Sequence, residues 1–197
     1  DGLVDRLATE GDLLQRQGSH GLWVTVERLA PEGRGPRGRR HDGVELGEPA
    51  ADGVELTGGR YHAGQISCRA SLDIIRTAKL MGLPVTCGVS INHLTLNEND
   101  IGPYRTFFKI RPPLRSEDDR RAMVEGVANG DIDVIVSAHD PRGAEGKRRP
   151  FADANDGAIG LETLLAAALR LYHSGEVELH RLLAALSFNP ARLLGLK

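Results

Sequence analysis

Ala138-His139-Asp140-Pro141-Arg142 follows the branched apolar run Ile132–Ser137 (IDVIVS), so it stands where a buried strand should end. An imidazole next to a carboxylate in such a loop is an arrangement for acid–base work. The plainer reading has His139 capping the loop and Asp140 turning with Pro141, and with no metal partner in reach it is preferred. A second polar group lies nearby in the pattern. Gln65 ends the first clear strand, Asn92 and His93 follow the second, and Lys109, Arg111 and Arg115 sit in FFKIRPPLR. Arg111 and Arg115 bracket two prolines. That rigid frame suits forked hydrogen bonds to a carboxylate or phosphate, and equally suits bonds to carbonyls of neighbouring loops. Zinc needs three or four converging His, Cys, Asp or Glu ligands. His93, His139 and Asp140 are the best placed, but they come from different loops.

The elements that must position these residues begin at Gly59. Arg60–Ile66 reads as a strand, Ala70–Met81 as a helix stopped by Gly82, and Pro84–Ser90 as a short buried strand. Ser116 with Asp119 opens a helix expected to run to Asn129. After the strand Ile132–Ser137 comes a polar loop through Asp156. Helices are expected over Ala158–His173 and Val177–Leu186, with Asn189-Pro190 as cap and first turn of a last one. Strands alternating with helices predict a parallel α/β sheet whose site lies at the strand ends.

Before residue 58 the pattern is weak. Val4–Leu14 fits a short helix and Leu22–Leu29 a strand or helical turn, whereas Pro31–Arg40 (PEGRGPRGRR) reads as loop or disorder. DGVEL at Asp42–Leu46 recurs at Asp52–Leu56, too little for a repeat architecture. His62 is expected to be a strand residue packed on a helix, His173 and His180 to lie on exposed helices, and Arg120-Arg121 to form a solvated helix face.

Composition narrows the classes. With 40% hydrophobic and 26% charged residues, a chain of 197 can bury a core. A net charge of −2 and 4% aromatics argue against a nucleic-acid partner. No apolar run is long enough for a membrane span, and no leader pattern opens the sequence. Cys68 and Cys87 carry no metal or redox spacing, which points to a reducing cytoplasm.

The segments GGRYHAGQIS, GLPVTCGVSINHLTLNE, KIRPPLRSEDD, IDVIVSAHDP, KRRPFADANDGAIGLETLL and LSFNPARLLGL resemble, in order and spacing, the C-terminal part of the dihydroorotase family of the amidohydrolase superfamily. The resemblance runs from Thr57 to Leu196, with Asp1–Gly18 as a weaker match and residues 19–56 outside it. It divides the chain into a poorly matching segment, 1–58, and a barrel part, 59–197. It implies a partial (β/α)8 TIM-type barrel: the last three or so β/α units plus C-terminal helices. Such enzymes hold one or two zinc ions and reversibly cyclise carbamoyl-aspartate to dihydroorotate in pyrimidine synthesis.

Aligned with that family, this chain has Gln65 where a metal-binding His is expected, and Ala138 where the metal-binding, proton-shuttling Asp is expected. Arg142 replaces a substrate-contacting His, Arg111 replaces a substrate-touching Asn, and Asn92-His93 keeps one of two paired histidines. The resemblance therefore implies no catalytic residue and no metal ligand here. Arg111, His139 and Arg142 remain as altered substrate-binding positions. It is nearest to the non-catalytic branch, whose members partner aspartate transcarbamoylase. No cofactor is expected, and an oligomer or a missing N-terminal half should be needed to close the sheet. Two alternatives stay open: an active zinc amidohydrolase using His93, His139 and Asp140, and a truncated fragment without independent function.

Overall fold

Val85–Ser90 and Val134–Val136 are short and built mainly of branched or small residues, the composition of strands buried on both faces, and they lie side by side in parallel. The structure, a computed structural model, describes residues 58–196, Val54, and the strand backbones 13–17 and 23–27. Five strands form one sheet in sequence order: β1 (Leu13–Gln17), β2 (Trp23–Glu27), β3 (Arg60–Ile66), β4 (Val85–Ser90) and β5 (Val134–Val136). β1 to β3 pair antiparallel, and β3 to β5 pair parallel, with Tyr61 opposite Val85 and Gly88 opposite Val134. The mixed α/β architecture with a parallel sheet agrees with expectation. The antiparallel hairpin does not follow from it: Leu13 and Leu14 are in β1, not in a helix ending at Leu14, and the strand reading of Leu22–Leu29 holds for its middle five residues. Most of Val4–Leu14, Pro31–Arg40 and most of the two DGVEL segments lie outside the described residues.

Helix α1 (Arg69–Leu80) connects β3 to β4, and its apolar stripe Leu72, Ile75 and Ala78 is buried. After β4 come the short α2 (Ile91–Thr95) and then α3 (Glu117–Asn129), which leads into β5. The core joins that stripe to Cys87 and Val89 of β4 and Met123 and Val127 of α3. A fully buried Leu or Met there stabilises by roughly 1.5–3 kcal/mol. Because β3, β4 and β5 run the same way, their C-terminal ends bring Gln65, Asn92-His93 and Ala138 to one edge of the molecule.

The opposite end is tied by charge. Asp133 accepts from Lys79 Nζ at 2.7 Å and from the Cys87 backbone N–H at 2.8 Å, joining α1, β4 and the approach to β5. Arg76 adds a 2.8 Å bond to Asp131. Burial pushes the Cys87 thiol up to about 12, so it acts as a small apolar side chain. His62 is half-buried in β3 and shares a hydrogen bond with Thr86 Oγ1 at 2.8 Å, and burial lowers its basicity.

Helix α3 starts as its sequence dictates. The Ser116 hydroxyl accepts from the Asp119 N–H at 3.2 Å, and Gly130 ends the helix in the left-handed conformation. Arg120 is not on a solvated face. It donates two 2.8 Å bonds to Glu117 and one of 3.0 Å to the Leu94 carbonyl, while Arg121 is exposed. These arginines and Asn97 hold the Glu117 carboxyl down at about 2.

The C-terminal helices differ in their bounds from what their periodicity suggests. α4 is one turn (Ala144–Lys147) inside the polar loop, and α5 spans Leu164–His173. Residues 158–163 stay out of α5 because their backbone packs against the end of β5. α6 (Leu179–Leu183) passes through a π-helical turn (Ala184–Phe188) directly into α7 (Asn189–Leu193). Asn189 is therefore no cap: its backbone is helical, and its side chain donates to the Asp133 carbonyl at 2.8 Å. His173 and His180 are exposed. Among the described residues no helix is long and apolar enough to cross a membrane.

Two outcomes follow from these ties. Asp133→Ala leaves the Cys87 N–H without its acceptor and the Lys79 ammonium with the Asp131 carbonyl in place of a carboxylate, and should cost about 1–3 kcal/mol in urea denaturation; a loss near zero would show that water replaces the carboxylate. Glu117 ionises more easily folded than unfolded, so its contribution is full above the unfolded pKa and fades as pH falls from about 5 towards 2. Glu117→Gln should flatten the acid limb of a stability–pH profile and leave the profile above pH 6 parallel to that of the parent.

Candidate functional site at the strand ends

The loop after β5 is built by close backbone contact. Ala138 has φ +48, a left-handed conformation that costs a residue with a Cβ about 1 kcal/mol or more. Asp140 N–H donates to the Ala158 carbonyl at 2.8 Å, bringing the segment around 158 alongside. Gly157 (φ +125) and Gly160 allow that approach: a Cβ on Gly157 would lie 2.5 Å from the Asp140 carbonyl oxygen, and one on Gly160 would collide with that of Ser137.

His139 is exposed, and its Nδ1 accepts the N–H groups of Gly160 (3.1 Å) and Leu161 (3.2 Å). The ring is thus set with its proton on Nε2 and serves as the cap of this loop. Asp140 accepts from Arg142 at 2.6 Å, and the same guanidinium donates to the Asp156 carbonyl at 2.8 Å. Arg111 donates to the Asp156 carboxylate, while Arg115 donates to the Ser67 hydroxyl at 3.3 Å. Both loops are therefore held from within. Arg111, Asp156 and Arg142 form one connected set in which Asp156 bonds an arginine through each of its two ends.

His93 is 2% exposed, and its Nε2 donates to the Pro113 carbonyl at 3.1 Å. Burial, with a smaller push from Arg115, keeps it below the ordinary histidine range and so neutral. Its Nδ1, Gln65 Oε1 and Asn92 Nδ2 are buried without a hydrogen-bond partner among the described residues. Such atoms cost roughly 1–3 kcal/mol each when left unpaired. Among the described residues no group of three His, Cys, Asp or Glu side chains converges as a metal site. His93, His139 and Asp140 are each committed elsewhere: to Pro113, to the Gly160–Leu161 backbone and to Arg142.

Sequence reasoning missed the residue that organises both loops. Lys147 is 6% exposed, and its ammonium donates to the carbonyls of Thr106 (2.9 Å), Lys109 (3.3 Å) and Asn155 (2.9 Å). Lys109 does the same for Ala152 (2.9 Å) and Ala154 (2.7 Å). Nothing in the string KRRP distinguishes a buried lysine from an exposed one. A cavity of about 510 Å³, lined by Leu94, Glu117, Arg120, Arg170 and Glu176 among others, lies in the helical layer and not at the strand ends.

No protein-family model matches the chain. Curated proteins named dihydroorotase do. That of Ehrlichia canis (strain Jake) is 47% identical over 134 residues, 68% of this chain and 30% of the relative. That of Anaeromyxobacter sp. (strain K) is 45% identical over 145 residues, 73% of this chain and 34% of the relative. The chain thus spans about a third of the length of the curated relatives it matches. Among solved structures, L-hydantoinase (dihydropyrimidinase) from Arthrobacter aurescens superposes with a TM-score of 0.70 at 29% identity, over 74% of this chain and 33% of that one. Dihydropyrimidinase from Brevibacillus agri gives 0.69 at 20% identity, over 75% and 34%, a likeness of fold.

At Ala138 the strained backbone aims no functional group. Ala138→Gly should therefore stabilise the chain by about 0.5–1 kcal/mol, since only glycine adopts this conformation without a Cβ penalty. Thermal melting checks it, and an unchanged or lower melting temperature would mean that the Ala138 methyl is packed.

Proposed function

Over about 70% of its length the chain is a homologue of the dihydroorotases, and from that premise we propose that it is the C-terminal part of a dihydroorotase-like (β/α)8 barrel that no longer hydrolyses. In this reading it serves pyrimidine biosynthesis in the cytoplasm as a binding partner of aspartate transcarbamoylase. The observation that carries the loss of catalysis is the pair Gln65 and Ala138, at the positions where the family places a metal-binding His and the metal-binding, proton-shuttling Asp. Hydrolysis of a cyclic amide by this route needs a metal-activated water and a carboxylate to move its proton. Gln65 offers a neutral amide oxygen, a poor zinc ligand, and Ala138 offers nothing. Asp140 does not substitute, because its carboxylate is held by Arg142. The residues present do not fit zinc.

Arg111, His139 and Arg142 stand at altered substrate-binding positions. The first and last are joined through Asp156, whose carboxylate already takes the Arg111 Nε–H and whose carbonyl takes a bond from Arg142. The sheet gives the reading of an incomplete barrel its support. β5 pairs only with β4 among the described strands, and beside its end Ile159, Leu161 and Leu165 are exposed. A parallel sheet is ordinarily closed or covered. Further β/α units, from an N-terminal half or from another copy, would cover this edge.

The direct test is dihydroorotate hydrolysis, with and without added zinc, by the chain alone and by the chain copurified with aspartate transcarbamoylase, alongside its metal content. No turnover, no retained zinc and a stable complex are expected. Zinc-dependent turnover abolished by His139→Ala would overturn the reading in favour of an active, altered amidohydrolase.

A further inference from the structure

The loops 102–109, beyond α2, and 141–157, beyond β5, meet with almost no apolar burial. Ala154 is the one apolar side chain among these residues that is buried, and the other two buried residues are Lys147 and Gly157. Each loop is pinched at its base. The Glu98 N–H donates to the Arg115 carbonyl at 2.8 Å, and the Asp140 N–H to the Ala158 carbonyl at 2.8 Å. A loop closed at its base can move as a body without disturbing the elements it leaves and rejoins.

What joins the two loops is polar. The Lys147 ammonium lies between them, on the carbonyls of Thr106 (2.9 Å) and Lys109 (3.3 Å) in one loop and of Asn155 (2.9 Å) in its own. The Thr106 hydroxyl returns a bond to the Lys147 carbonyl. The Lys109 ammonium donates to the carbonyls of Ala152 (2.9 Å) and Ala154 (2.7 Å), and the Gly157 N–H donates to the Lys109 carbonyl at 2.9 Å. Tyr104 and Phe151 add one edge-on ring contact, with centroids 5.8 Å apart.

Helix α3 is held differently, with Met123 and Val127 in the core. Water replaces a hydrogen bond at little net cost but does not replace buried apolar area, so a segment with many bonds and little buried area opens before the core does. Tyr104 has φ +56, a conformation disfavoured for an aromatic residue, and that strain lowers the cost of opening further. We propose that the two loops are one cooperative unit, latched by the Lys147 ammonium, that opens as a body while the sheet and α3 stay folded. Opening parts Asp156 from Arg111 and breaks the bond between them. The latch therefore governs whether that strand-end guanidinium is held by Asp156. This concerns motion, and it stands whether or not the chain hydrolyses.

Amide hydrogen exchange of the 197-residue chain, followed residue by residue by NMR, tests the latch. The N–H groups of Phe108 and Lys109 in the first loop, and of Ala154 and Asn155 in the second, are each bonded within their own loop. They should share one level of protection, about tenfold or more below that of Met123 and Val127 in α3. Lys147→Met should speed exchange in both loops by about tenfold or more and leave α3 unchanged. Thr106→Val removes one crossing bond and keeps the ammonium. It should speed both loops by a smaller factor, and it carries the test if the first variant does not fold. Loop amides as well protected as those of α3, two loops that respond separately, or an equal rise in α3 exchange would each overturn the proposal. None of these outcomes bears on hydrolysis, so the two readings fall separately.

Discussion

The carboxylate of Asp133 is the constraint on which the parallel part of the sheet depends. It is bonded to the Lys79 ammonium at the end of α1 and to the backbone of Cys87 in β4, just where the chain enters β5. In strands apolar on both faces the side-chain pattern says less about how far one slides along its neighbour, and a charged group bonded to one backbone N–H adds that information. With that end pinned, the opposite ends of β4 and β5 stop at related heights, and β3 pairs in parallel beside β4. Gln65, Asn92, His93 and Ala138 then share an edge. The polar surface at the strand ends is in this sense set from the other end of the sheet.

At that edge the structure is knit for shape more than poised for reaction. The side chains that chemistry would recruit are bonded to protein: His139 to two backbone N–H groups, Asp140 to Arg142, Arg111 to Asp156. The few polar atoms left over, on Gln65, Asn92 and His93, are neutral donors and acceptors and not charges. The comparisons match the chain, over about 70% of its length, to proteins named dihydroorotase, and the proposed reading of a barrel that kept its framework and lost its metal chemistry draws on what stands at Gln65 and Ala138. In that proposal the two replacements would compound, because groups that act as a unit in catalysis fail together.

How much of this was legible in the sequence depends on whether the governing force is local. α1 and α3 could be read because their caps and apolar spacing are local properties: Gly82 and Gly130 stop them, and Ser116 starts the second. β4 and β5 could be read from branched apolar runs. The start of α5 could not, since residues 158–163 have helical spacing and are held out by contacts with Ser137 and His139 some 20 residues away. Asn189 likewise reads as a cap and is used as a donor to Asp133. The site residues were named from motifs, but their bonding was not: Asp156 as the hub of two arginines and Lys147 as a buried ammonium are tertiary facts with no signature in one chain.

Lys147 carries a consequence of a different kind. An ammonium enclosed by three carbonyls is unreachable by amine-directed chemistry while the loops stay closed. The chain thus contains its own record of loop integrity, written in which lysine escapes labelling. A reagent that marks surface amines would spare this position in the folded chain and mark it once the two loops separate, whatever the rest of the sheet is doing.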